Sequence, residues 1–209
     1  MKEYVIFGCS SYVNYFLDII SAQGDSLKKI VCQDTQTNKI SNYSFPVSIE
    51  PLEAFVPGSN ESYICSIFGS QAINFHQKIR AKTSISFDTL IHPSSLISQT
   101  ANLSSGLVIS AGAILASNVV IGENSFIGQG TIFGHDTVVE SDVIVESGVK
   151  LAGHIRVGKC SLIGMGAAII EDVLIGENAI VEPGSVVLND IPPQSVVSGI
   201  PASFKKINS

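Results

Sequence analysis

The sequence predicts a small parallel α/β domain followed by a long β-solenoid, and three observations carry that prediction. Seventeen positions spaced six residues apart, from Ile91 to Val187, are aliphatic or Phe without a break. The residue after each is often glycine, as at Gly122, Gly134 and Gly176. Residues 1–88 lack this rhythm and alternate strand-like with helix-like stretches. Helices repeat near 3.6 residues and simple strands at about 2, so a strict period of six fits neither. It fits a three-sided prism in which each hexad forms one short side and points an aliphatic side chain inward.

In the first 88 residues, Tyr4–Phe7 reads as a buried strand that runs into Gly8-Cys9-Ser10-Ser11. A helical stretch follows from about Tyr12 to Ala22. Lys29–Cys32 is a second strand ending at Gln33-Asp34. Tyr63–Phe68 is a third, followed by Gly69-Ser70 and a helix through Arg80. Such alternation implies a parallel sheet with right-handed crossovers, and ligands bind at the carboxyl ends of its strands. Gly8–Ser11, Gln33-Asp34 and Gly69–Gln71 therefore gather around one mouth. The loop after the first strand holds only Gly8 of a dinucleotide fingerprint. It is either a bare strand-to-helix turn or a phosphate cradle at a helix N-terminus. Asp34 is correspondingly a turn residue or an acceptor for a ribose or base.

From residue 89 onward three hexads make one turn, so residues 18 apart stack and the run gives roughly five coils. Glycine and Asn, Asp or Ser supply the corners. The N-terminal domain and the proline-containing tail cap the two ends. The flat, weakly charged faces point to a closed symmetric oligomer, with a threefold natural for a three-sided prism.

The chain is 45% hydrophobic and 14% charged, with a net charge of −6. That balance argues against nucleic acid as a partner. No stretch reads as a membrane helix or a signal peptide. The cysteines Cys9, Cys32, Cys65 and Cys160 are widely separated with no C-x-x-C pair. They read as reduced thiols, which places the protein in the cytoplasm.

There are four histidines. His76 reads as a surface residue of a helix, and His92, beside Pro93, as structural. His135 and His154 are 19 apart, on adjacent coils of one face. Asp136 and His154 are 18 apart and should stack, so either histidine could pair with Asp136. A His oriented by a carboxylate is a serviceable general base. No Lys or Arg occurs between Ile91 and Val149, and the solenoid's cations (Lys150, Arg156, Lys159, Lys205 and Lys206) favour an anionic ligand toward its C-terminal end.

The hexads, the phrases Val120-Ile121-Gly122-Glu123-Asn124 and Leu174-Ile175-Gly176-Glu177-Asn178, and the closing Gly199-Ile200-Pro201-Ala202 resemble the left-handed β-helix acyltransferases. The N-terminal α/β domain followed by uninterrupted hexads resembles one branch, the NeuD/PglD-like bacterial sugar acetyltransferases. The resemblance implies a Rossmann-like acceptor-binding domain at residues 1–88. A left-handed parallel β-helix of hexapeptide repeats would follow at 89–209. It further implies acetyl-CoA as co-substrate, a homotrimer, and a sugar or nucleotide-sugar acceptor, with no metal. By similarity, Phe133-Gly134-His135-Asp136 carries the general base His135 and its orienting Asp136. Acyl-CoA would lie between two β-helices, against Leu151, Ala152, Gly153, His154, Gly164, Met165, Gly166 and the segment Gly199, Ile200, Pro201 and Ala202. Gly8, Cys9, Ser10, Ser11, Tyr12, Asp34 and Gly69 would hold the acceptor.

Three departures from the family pattern all fall on the acceptor side. The substrate-side His of the first loop is Tyr12, and two loop glycines are missing. The first of the paired acids after the second strand is Gln33. The Asn usual seven residues before the catalytic His is Gly128. The leading expectation is acetylation of the amine of a nucleotide-linked 4-amino-deoxy sugar in glycan or surface-polysaccharide biosynthesis. O-acetylation of sialic acid and a non-catalytic binding or scaffold role are the alternatives. A metal-dependent β-helix of the carbonic-anhydrase kind would need a third histidine converging with His135 and His154.

Overall fold

The computed structural model describes residues 1–33 and 48–208, so Asp34 lies outside the described residues. The N-terminal sheet has the order β3-β2-β1-β4, with β1 Glu3–Phe7, β2 Ser26–Cys32, β3 Ser48–Pro51 and β4 Glu61–Cys65 all parallel. Helix α1, Val13–Ala22, follows β1, and α2, Ser70–Lys82, follows β4. The strand β3 was not foreseen from the sequence. Phe45, Val47 and Ile49 alternate there at a period of two, but Pro46 and Pro51 interrupt and end so short a run.

From β5, Leu90–Ile91, to β21, Val186–Val187, a two-residue strand recurs every six residues. These seventeen strands fall into three parallel sheets with one strand of each per coil, between five and six coils in all. Residues 18 apart pair in register, as Val120 does with Val138 and Phe133 with Leu151. The second residue of each strand points inward, and so does the residue four further on. Phe133, Thr137, Val139 and Ile155 are all buried. The solenoid core is thus a stack of aliphatic layers with no charged group among its buried residues. Burial of apolar surface on this scale is the main stabilising contribution.

Each coil turns three corners in the left-handed backbone region. One column of corners is glycine throughout: Gly112, Gly130, Gly148, Gly166 and Gly184. A second is Asn118, Asp136, His154 and Asp172, all at φ between 57° and 64°. Asn and Asp tolerate that region better than most side chains, and a histidine there is unusual.

The outward strand residues of one sheet, Leu90, Val108, Phe126 and Ile144, pack with α1 residues Val13, Phe16, Ile19 and Ile20 in a single cluster. The tail forms an antiparallel pair, β22 Ser195–Gly199 with β23 Ala202–Ile207, joined through a cis Ile200–Pro201 bond.

Four reduced thiols were expected; Cys9 and Cys32 lie side by side, with Cα atoms 5.9 Å apart, while Cys65 is buried and Cys160 half-buried. Parallel pairing of Phe7 with Val31 brings the two chain segments side by side, a proximity that 23 residues of sequence conceal. His76 was expected at the surface and is buried against Phe87 at a ring separation of 5.1 Å. The helix turns that face onto the core, and burial pulls the imidazole down to about 4.

Candidate active site

The turn between β12, Ile132–Phe133, and β13, Val138–Val139, carries Gly134, His135, Asp136 and Thr137. Phe133 and Thr137 anchor its two ends in the core, which leaves His135 exposed and Asp136 half-buried at the corner. His135 Nδ1 and Asp136 Oδ2 are 2.8 Å apart. Asn118, one coil earlier in the same corner column, donates from Nδ2 to Asp136 Oδ1 at 3.0 Å. These hydrogen bonds, that from Asn118 first and that from His135 second, hold the Asp136 carboxyl below the usual carboxylate range. Asp136 is therefore an anion that only accepts. It makes His135 Nδ1 the N–H donor, which leaves the lone pair on Nε2.

Of the two histidines that could have paired with Asp136, His135 is the one bonded to it. His154 sits one coil on, with its ring edge-to-face with His135 at 4.9 Å. Its backbone N–H donates to the His135 carbonyl at 2.9 Å. Glu171 is a member of this corner that sequence reading missed. Its Oε1 lies 3.9 Å from His135 Nε2. The available signal was arithmetic: Glu171 is 36 residues, or two coils, from His135. Among the described residues, His135, His154 and Glu171 each offer a ligand atom within 4.8 Å of one another. Two imidazoles and a carboxylate are ligand types that transition metals accept.

The residues expected around acyl-CoA divide by exposure. Leu151 is a core side chain, so only its backbone is available at the surface. Gly164 is required by packing, because a Cβ there would lie 2.6 Å from Pro183 N. Gly153 borders His135 directly: a Cβ would lie 2.8 Å from His135 Cε1. Met165 is exposed, and nothing lies within 4 Å of a Cβ built on Gly166, so this corner is bare. Ile200 projects from the tail turn beside Gly199, Pro201 and Ala202.

The residues expected to hold the acceptor gather elsewhere. A cavity of about 580 Å³ is lined by Cys9, Ser10, Tyr12, Ser66 and Gly69 on the N-terminal side. Ile144, Leu162, Ile180 and Cys160 of the solenoid, with Asn208 of the tail, close it. Ser11 does not line it and is exposed. The N-termini of α1 and α2 adjoin this cavity, neither with a side-chain cap nor an acidic residue in its first turn. The buried Ser66 hydroxyl has no hydrogen-bond partner among the described residues. Gly8, at φ 99°, allows the close approach, since a Cβ there would lie 2.9 Å from Ser66 Oγ. Tyr12, where the family pattern has a histidine, packs on Phe126 at 4.5 Å and on Phe68 at 5.6 Å.

The cavity and the His135 corner do not meet within one chain. Ile144, Leu162 and Ile180 belong to one face of the prism. The His135 corner is the junction of the other two faces, so the solenoid itself stands between them.

Residues 118–153 and 154–189 match the bacterial transferase hexapeptide (six repeats) family. Among curated proteins no sequence matches the chain. Among solved structures it is similar to PerB from Caulobacter crescentus, crystallised with CoA and GDP-perosamine, at 25% identity and a TM-score of 0.84. That alignment covers 99% of this chain and 98% of PerB. The acetyltransferase domain of PglB from Neisseria gonorrhoeae FA1090, in complex with acetyl coenzyme A, aligns at 23% identity and a TM-score of 0.85, covering 98% of this chain and 99% of that domain. WeeI from Acinetobacter baumannii AYE aligns at 20% identity and a TM-score of 0.84, covering 98% of this chain and all of WeeI. The hexapeptide match and the end-to-end likeness agree on the architecture: the chain has the hexapeptide-repeat, left-handed β-helix fold and follows PerB and the PglB acetyltransferase domain over nearly its whole length.

Proposed function

We propose that the protein transfers the acetyl group of acetyl-CoA to a sugar, with the amine of a nucleotide-linked amino sugar as acceptor. The observation that carries this reading is the Asn118–Asp136–His135 chain of hydrogen bonds at one corner of the prism. It stands in a chain that follows PerB, a protein crystallised with CoA and GDP-perosamine, over nearly its full length.

His135 Nε2 takes a proton from the acceptor nitrogen as that nitrogen bonds to the acyl carbon, and Asp136 stabilises the resulting imidazolium. The same proton then passes from His135 to the departing sulfur. Acetyl-CoA supplies the activated acyl group. The bare corner at Met165 and Gly166 suits its long amide-bearing arm. The cations between Lys150 and Lys206 suit its phosphates.

The cavity at the N-terminal domain suits the nucleotide end of the acceptor. Two uncapped helix N-termini and the unpartnered Ser66 hydroxyl offer donors to a diphosphate, and Tyr12 and Phe68 offer aromatic surface. Since that cavity and His135 face opposite ways, the reading requires a neighbouring copy to supply one half of the site. The exposed ridge of Leu96, Ile114 and Ile132 on a solenoid face supports a homotrimer. No helix among the described residues is long and apolar enough to cross a membrane, and a cytoplasmic setting, where activated sugars are made, belongs to this reading.

The test is free-thiol release from acetyl-CoA with a panel of nucleotide-linked 4-amino sugars and sialic acid. Turnover with an amino sugar is the expected result. Turnover only with sialic acid would turn the reading to O-acetylation. CoA binding with no turnover on any acceptor would favour a binding or scaffold protein.

A further inference from the structure

We infer that Glu171 makes the site selective for a protonated amine, by holding the acceptor's ammonium group beside His135 Nε2. This rests on the acetyltransferase reading above and adds a residue and a selectivity to it.

His135, Gly153 and Glu171 occupy successive levels of one column, 18 residues apart. Strands one coil apart are separated by roughly 4.8 Å, so side chains two coils apart ordinarily do not meet. Here they do, because the middle level has no side chain. A Cβ on Gly153 would lie 2.9 Å from His135 Nε2 and 3.0 Å from Glu171 Oε1. The ring leans over Gly153 from one side and the carboxylate from the other.

The separation of 3.9 Å between Nε2 and Oε1 is too long for a good direct hydrogen bond. It leaves room for a third atom that bonds to both. With Nδ1 committed to Asp136, Nε2 is an acceptor, and a carboxylate is an acceptor only. The bridging group must therefore donate twice. An ammonium has three N–H groups and can bond to both oxygen and nitrogen at once, whereas a hydroxyl has a single proton and can satisfy one of them. Charge points the same way. Asp136, Glu171 and Asp172 surround the corner, and no Lys or Arg makes an ion pair with Glu171 among the described residues. In the reaction the ammonium gives one proton through Nε2 to solvent and becomes the neutral nucleophile. As the C–N bond forms, a second proton passes to Nε2 and on to the departing sulfur, while Glu171 keeps the third N–H, which remains in the product amide.

The experiment measures steady-state kinetics and acceptor binding for the wild-type protein, Glu171→Gln and Glu171→Ala. The acceptors are a nucleotide-linked 4-amino sugar and its 4-hydroxy counterpart. Glu171 is exposed, so both variants should fold, and matched melting curves check this. Loss of one charge-assisted hydrogen bond should raise KM and Kd for the amino acceptor about ten-fold or more. KM for acetyl-CoA should not move, and the preference for amine over hydroxyl should shrink. Wild-type turnover with an unchanged amino-acceptor KM and an unchanged amine preference in both variants would overturn the inference while leaving the acetyltransferase reading in place. Absence of wild-type turnover with every acceptor would remove both.

Discussion

Asn118 and Asp136 stand one above the other in a single corner column, and the Asn118 side-chain amide donates to the Asp136 carboxylate at 3.0 Å. Asn118 touches neither His135 nor any expected substrate position. It acts by fixing one oxygen of the carboxylate so that the other meets the imidazole. Asn118→Ala should lower kcat by about ten-fold, with KM for acetyl-CoA unchanged. Because the Asn118 bond is the first cause of the lowered Asp136 pKa, its loss should also move the acid limb of the pH–rate profile upward. A pH-independent loss would point to a purely structural role.

His135→Ala should lower turnover by about 10²–10⁴-fold while size and melting behaviour stay the same. His154→Ala should cost far less, because His154 packs edgewise on His135 without bonding Asp136. If the two losses are reversed, His154 carries the proton. Free-thiol release reads both variants.

Two glycines of the same region should answer differently to alanine. At Gly134 a Cβ would lie 2.4 Å from the backbone carbon of Ala152, where nothing can yield. Gly134→Ala should destabilise the solenoid by roughly 2–3 kcal/mol, seen as a lower melting temperature. At Gly153 the obstruction is the end of a side chain, the His135 ring. Gly153→Ala should therefore keep its melting temperature and lose activity, as the base swings out of place. A normal kcat in Gly153→Ala would mean that the ring position found here is not the working one.

His76 is held neutral by burial, with its pKa near 4 in the folded state against about 6.5 when unfolded. Between those values the unfolded chain binds a proton that the folded chain does not, so stability rises with pH across this window. Above about 6.5 the effect is absent, and toward pH 4 it amounts to roughly 2–3 kcal/mol of lost stability. His76→Phe should flatten this part of the curve in denaturant titrations at pH 7 and pH 4.5.

The solenoid was readable because its period is a covalent fact. Every sixth residue must enter the core, so Ile91 to Val187 announce all seventeen strands. His135 and Asp136 were readable for the same reason, as polar residues in adjacent corner positions of one hexad. Asn118 and Glu171 were missed although the same arithmetic places them, at one coil before Asp136 and two coils beyond His135. The chemistry of a solenoid lies along its columns, and a search confined to neighbouring residues does not cross them. The closeness of Cys9 to Cys32 and the buried face of His76 follow from how strands and helices pair in three dimensions. No short period encodes either one.

The three-sided coil also limits how such a chain can change length. Removing eighteen residues from the solenoid takes out one full storey and leaves each remaining column continuous. Removing six turns everything downstream by a third of a revolution, so that Asn118 would no longer stand beneath Asp136 if the cut fell between them. The inward aliphatic residues would still fit, since every hexad offers one. Length can therefore vary by single hexads without harm to the core, whereas the corner that holds Asn118, Asp136, His135 and Glu171 tolerates only whole storeys.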